Sequence, residues 1–446
     1  MTREKNGIIE GVIWKQLLIF FFPILVGSFF QQLYNTVDSV IVGQFVGKEA
    51  LSSVGGSAGQ IISLVVGFFT GLSTGATVII SQFFGAGKKR EIEESLHTSY
   101  AFSILGGFVL GILGIIFAPH ILRWMNTPRE LLAESTLYVR VYFSGLIFIF
   151  IYNMGAAILR AIGDSKRPLY YLIICSVINI VLDLVLILVI PLGVLGAAIA
   201  TLIAQAVSAV MVTFTLMYRT EGMQLYLSKI RIYRKMLGNI FRIGFPAGLE
   251  AILYSVSNII VQVAINNFGV DTMAAWTAYS KIDFIFWMIN SAFGISIMTF
   301  VGQNFGAGKW DRIRKGTKIC LCMALVSAVF VSVVLMTAER TLFGIFVNDA
   351  AVIDIGIRMM NVIAPAYMLF AFIEVFSGAL RAQGAVLVST LITMIGICAF
   401  RMVWVMVISA HGTLEQVIFC YPVTWLVSAV LISIYYVYKQ KKMFNA

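Results

Sequence analysis

Apolar stretches of membrane-crossing length recur along this chain. Residues 102–118, 141–158, 169–190 and 320–337 are examples, each near the roughly 20 residues that cross a hydrocarbon layer as a helix. Lipid offers no water to bond a free backbone N–H or C=O, so a segment of this kind must satisfy its own backbone, as a helix does. Charged residues make up 12% of the 446, against about 25% in soluble chains. The expectation is an all-α membrane protein of twelve transmembrane helices, at about 14–38, 51–80, 94–118, 132–158, 168–190, 194–218, 236–265, 273–300, 316–337, 356–380, 386–410 and 416–438. The first apolar run belongs to a full-length span rather than a cleavable leader.

The spans fall into two similar halves. Ser81 to Lys88 reads SQFFGAGK, and Gly302 to Lys309 reads GQNFGAGK, 221 residues later. The same offset joins Leu159-Arg160-Ala161 to Leu380-Arg381-Ala382, and Gly163 to Gly384. Pro23 and Pro246 each stand a few apolar residues into a long helix. A repeat of this size is a duplicated structural unit, and in a membrane protein it points to a transporter. The sequence divides into an amino-terminal lobe over 1–218 with six spans, a basic cytoplasmic linker over 219–235, and a carboxy-terminal lobe over 236–446 with six more.

The formal charge of +11 follows membrane topology. With the amino terminus in the cytoplasm, only Lys48, Arg123, Arg129, Arg140, Arg340 and Arg358 face outward, and Lys281 and Arg401 fall within spans. All other basic residues, Arg3 and Lys5 included, lie on the inner side, as the positive-inside bias requires. Both termini are then cytoplasmic, in a cell (plasma) membrane. A nucleic-acid partner is not expected, because the charges are scattered over loops rather than gathered on one face. The five cysteines lie in apolar runs as packing residues. A GxxxxGK[ST] loop is missing, so the energy must come from an ion gradient or a partner. No cofactor is expected beyond a coupling ion, Na⁺ or H⁺, and no metal beyond that Na⁺. A membrane-embedded enzyme would need a His, Asp and Glu cluster or a Ser/His pair within the spans. His97, His120 and His411 fall near span ends, so the chain is read as a non-enzyme.

Ionisable residues inside spans are costly and functional by default. The helix of span 1 is taken to run on to near Val46, so Asp38 lies eight residues before its outer end, about 12 Å along a helix. Asp183 lies seven residues before the end of span 5, and Thr201 seven residues into span 6, each about 10 Å deep. Asn179 precedes Asp183 by four residues and shares its face. Two carboxylates, an amide and a hydroxyl at one depth suit a hard cation or two acids sharing a proton. The duplication supplies a control. Shifting Asp38 lands on Ile260 or Val261, and shifting Asn179, Asp183 and Thr201 lands on Phe400, Trp404 and Pro422. A polar set kept in one copy marks a dedicated site. The second half has its own acids, Glu250, Asp283 and Glu374, as candidates for substrate, a second ion, or pairing with Arg401.

On these residues the chain resembles the multidrug and toxic compound extrusion transporters over essentially its whole length. The resemblance rests on QQLYNTVDSVIVGQF in span 1, GAGK after the second span of each half, LRAIGD and LRAQG, and NIVLD in span 5. It implies two pseudo-symmetric six-helix lobes forming a V-shaped cleft, and export of lipophilic or aromatic, often cationic compounds by cation antiport with alternating access. It further implies that Asp38, Asn179, Asp183 and Thr201 form the coupling site and that span 1 bends at Pro23. Another branch of that family carries an acid in span 7 and an Asp in span 10; Glu250 and Glu374 occupy those spans here. The partners implied are drug-like small molecules and the bilayer, with the protein a monomer. A lipid-linked precursor flippase is the rival reading. It should carry several Arg for a pyrophosphate, where the spans hold Arg401 and Lys281 alone.

Overall fold

A computed structural model describes residues 7–220, 223–408 and 412–444. Arg3, Lys5 and His411 lie outside the described residues. Those residues are helical with no strand among them, as a chain that must satisfy its backbone within lipid requires. Spans 1 to 3 are Ile13–Val46, Lys48–Gly85 and Lys89–Trp124; spans 5 and 6 are Lys166–Val189 and Val194–Tyr218. Spans 7 to 12 are Arg234–Asn266, Val270–Gly306, Trp310–Thr337, Ala350–Ala382, Val386–Ile408 and Leu414–Met443. Span 4 is not one rod: Arg129–Ser144 and Leu146–Ala161 meet at 50° across Gly145. Several helices outrun the expected spans. Span 9 begins at Trp310 rather than 316, because its first turns are polar and an apolar window does not register them.

The duplicated motifs are helix caps. After span 2 the Gly87 amide donates to the Phe84 carbonyl at 3.1 Å and the Lys88 amide to Phe83 at 3.0 Å. After span 8 Gly308 donates to Phe305 at 3.1 Å and Lys309 to Asn304 at 2.9 Å. Gly87 and Gly308 share a φ of +69°. This is a Schellman end, in which a left-handed residue, most cheaply glycine, turns the chain back onto the helix's free carbonyls. The LRA turns repeat the device: Gly163 donates to Arg160 and Asp164 to Leu159, as Gly384 does to Arg381 and Ala385 to Leu380.

Internal packing divides the chain into two compact units. The amino unit is Phe22–Gly248; the carboxy unit is Met1–Phe21 with Leu249–Ala446. The cuts fall inside span 1 and span 7, each within two residues of a proline. The start of span 7 belongs to the amino unit because it packs backbone to backbone on span 2. A methyl on Gly75 would lie 2.2 Å from the Ile240 carbonyl oxygen, and one on Gly71 would lie 2.5 Å from Gly248 Cα. Gly71, Gly75, Gly244 and Gly248 thus form facing GxxxG pairs, which permit such an approach.

In the carboxy unit the short helix Gly7–Glu10 is clasped by spans 8 and 9. Arg312 Nη2 donates to the carbonyls of Ile8 at 3.0 Å and Gly11 at 2.9 Å, and Lys309 Nζ donates to Ile9 at 3.2 Å. Cations at a helix C-terminus satisfy orphan carbonyls and the dipole together. Phe21 stacks on Phe293 at 4.2 Å.

The linker from Tyr226 to Tyr233 lies on span 3. Tyr226 N–H donates to His97 Nε2 at 3.1 Å, and Tyr233 N–H to Thr98 Oγ1 at 3.2 Å. His97 Nδ1 lies 2.7 Å from the Glu93 carbonyl, so its proton sits on Nδ1 and the ring serves as a strut. Lys229 reaches Glu93 at 3.0 Å. That hydrogen bond and charge hold its ammonium above the ordinary lysine range.

Candidate functional site

The four oxygen-bearing residues expected in the amino unit are all buried, with Asp183 at 0% and Asn179 at 1% exposure. Span 5 presents Asn179 and Asp183 one turn apart, and span 6 brings Thr201 to them. Asn179 Nδ2 donates to Thr201 Oγ1 at 3.5 Å. Span 1 supplies Asp38, whose carboxyl lies within reach of that of Asp183. Yet Asp38 Oδ1, Asn179 Oδ1 and both Asp183 oxygens meet no donor. Two carboxylates are acceptors alone, so nothing joins them until a proton or cation is added. Buried acceptors without donors are costly, and oxygens of this kind are the ligands a hard cation takes. Among the described residues no group of three or more His, Cys, Asp or Glu comes together. With oxygen donors and no thiolate or imidazole, the set has the chemistry of a site for a hard ion or a shared proton.

Sequence reasoning missed the tyrosines here. Tyr34 and Tyr138 lie within electrostatic reach of Asp38, and Tyr138 also of Asp183. Tyr34 was findable, standing one helical turn before Asp38. Tyr138 comes from the bent span 4 and carries no local signal. Spans 1 and 5 both finish in π-helical turns, Val42–Val46 and Val185–Val189, just beyond Asp38 and Asp183. Such wide turns recur at functional sites.

The acids of the carboxy unit separate into two places. Glu250 takes Arg381 Nη2 at 2.8 Å on each oxygen and Thr393 Oγ1 at 2.8 Å. Glu374 lies against Gly294, where a methyl would meet its Oε1 at 2.0 Å. Neither carboxylate pairs with Arg401, contrary to one sequence expectation. Arg401 instead donates to Asn258 Oδ1 at 3.2 Å and covers the Tyr421 ring at 4.2 Å. Glu250 found a base from the LRA turn, out of reach of any local pattern. Asp283 accepts from Trp287 Nε1 at 2.5 Å and from the Tyr367 hydroxyl. Lys281 is exposed and does not pair with Asp283, as a spacing of two on a helix requires.

An all-helical, internally duplicated membrane chain with buried acids in its spans has the architecture of a secondary transporter. The MatE family model matches it twice, over residues 23–185 and 246–407. The chain belongs to that family, the multidrug and toxic compound extrusion transporters. It is 29% identical over 452 residues to the probable multidrug resistance protein YoeA of Bacillus subtilis strain 168, covering 99% of this chain and 96% of that one. It is 26% identical over 396 residues to the probable multidrug resistance protein YpnP of the same organism, covering 88% and 87%. A solved multidrug resistance MATE family transporter of the MOP superfamily, in an outward-facing conformation, superposes with a TM-score of 0.93 across 100% of both chains at 21% identity. At that identity the likeness speaks to the fold.

Proposed function

We propose that this protein exports lipophilic or aromatic, often cationic compounds from the cell by antiport with Na⁺ or H⁺, as a monomer in the plasma membrane with both termini cytoplasmic. The carrying observation is the buried set of Asp38, Asn179, Asp183 and Thr201, in which Asp38 Oδ1, Asn179 Oδ1 and both Asp183 oxygens lack donors. The relatives' printed description as multidrug resistance proteins supports the substrate class. The ion enters between Asp38 and Asp183 and draws span 1 against span 5. Pro23 removes one backbone bond from span 1 and gives it a place to bend. Ion and compound favour different states of the carrier, and the difference in their binding free energies is the coupling.

Proteoliposomes holding the full chain, loaded with ethidium and given a Na⁺ gradient or a pH gradient separately, test this reading. One gradient drives transport, and Asp38→Asn and Asp183→Asn each reduce it at least about 100-fold. Wild-type rates in both variants, or transport indifferent to either gradient, rule out the assignment.

A further inference from the structure

The amino unit buries acceptors without donors; span 11 of the carboxy unit does the reverse. Arg401 is 0% exposed and forms no ion pair among the described residues. Nearby acids are committed elsewhere: Glu250 to Arg381, and Asp283 to Trp287 and Tyr367. Arg401 Nη1 donates to Asn258 Oδ1 at 3.2 Å, and the guanidinium lies over the Tyr421 ring at 4.2 Å. Neither neighbour carries a charge. One neutral acceptor and one ring face do not offset the loss of water around a buried ion.

The remaining donors have a definite shape. Arg401 Nε and Nη2 are buried and meet no acceptor. Together they form the side edge of the guanidinium, a fork whose two N–H groups point the same way and can share one anion. Tyr254 of span 7 comes within reach of that guanidinium, and its buried hydroxyl is also without a partner. The duplication again supplies a control. Shifting Arg401 back by 221 lands on Ile180, so the shared scaffold does not require a charge at this place. Arg401 also follows directly on a π-helical stretch, Met394–Ala399, a wide turn of the kind that recurs at functional sites.

We propose that Arg401 binds a compact inorganic monovalent anion, of which chloride is the simplest, between its Nε and Nη2, with the Tyr254 hydroxyl as a third donor. The guanidinium has no exposure, and the cavity of about 510 Å³ lined by Tyr254, Asn258 and Tyr421 does not include it on its wall. A place shut off in this way suits an ion of one atom rather than the carboxylate of a larger compound. The anion neutralises Arg401 and ties span 11 to span 7. This site is independent of the antiport reading, because it uses no residue of the amino unit and needs no transport to be observed.

Thermal unfolding of the purified full-length protein tests the proposal, with sodium gluconate replaced stepwise by sodium chloride at constant total sodium. A ligand that binds only the folded state raises the midpoint with its concentration. The midpoint rises by about 2 °C or more as chloride replaces gluconate, the rise saturates, and sodium bromide reproduces it. Arg401→Gln abolishes the chloride-dependent rise. Tyr254→Phe, which keeps the ring and removes the hydroxyl, raises the half-saturating chloride concentration about fivefold. A wild-type midpoint indifferent to the exchange overturns the assignment, and so does an Arg401→Gln protein that keeps the full rise. If Arg401→Gln fails to run as a single species in gel filtration, Tyr254→Phe decides: a weakened chloride dependence supports the site, and an unchanged one overturns it.

Discussion

Arg160 and Arg381 occupy equivalent places in the two halves, yet among the described residues only Arg381 forms an ion pair with an acid. Its bond to Glu250 is largely sheltered, with the two side chains 20% and 17% exposed. Removing one partner of such a pair strands the other charge, which costs about 3 kcal/mol in buried cases. Arg381→Ala should therefore lower the thermal unfolding midpoint of the detergent-solubilised protein by several degrees, and Arg160→Ala should lower it much less. Equal shifts would mean that Glu250 contributes nothing to the difference. The amino-unit site was legible because depth can be counted along a helix, which places Asp38, Asn179, Asp183 and Thr201 at one level without knowledge of any contact. The Glu250–Arg381 pair was not, because its members are 131 residues apart and Arg381 sits in a motif whose obvious role is a turn. Asp283 stood out as a buried acid, but its aromatic surroundings come from spans 7, 8, 10 and 12 and leave no mark near it in sequence.

The repeats, at the level of helices and turns, preserve backbone geometry. Gly87 and Gly308 hold the same left-handed φ, and nothing lies within 4 Å of where a side chain would begin. The cost of Gly87→Ala or Gly308→Ala is then conformational alone, about 1 kcal/mol each. Differential scanning fluorimetry should find two small, matching decreases; a loss of fold at either site would contradict that view. Gly75 differs because its neighbour is backbone. Gly75→Ala forces span 2 away from the start of span 7, at a cost of about 1–3 kcal/mol. Gly67 on the same helix has open space, so Gly67→Ala should be harmless. A Gly75→Ala protein as stable as Gly67→Ala would show that the two helices are not in close contact. Both glycine pairs were visible in the sequence; that they face each other was not, since a GxxxG pattern names a surface without naming its partner.

Considered as a whole molecule, the chain trades segments between its units: residues 7–21 pack with the carboxy unit, and the first turns of span 7 with the amino unit. Removing residues 7–12 should destabilise the carboxy unit and speed proteolysis near Asn304, whose amide donates to the Ile8 carbonyl at 3.3 Å. Arg312→Ala should do so more mildly, and cleavage rates indistinguishable from wild type in both would argue against the clasp. The exchange also sets an order of assembly. A ribosome makes the amino terminus first, while the residues that hold it, Phe293 through Arg312, emerge almost 300 residues later, and contacts that far apart close late. Neither product of a cut in the linker would be a self-sufficient half: each would lack a piece that only the other carries, and the two should fold only when made together.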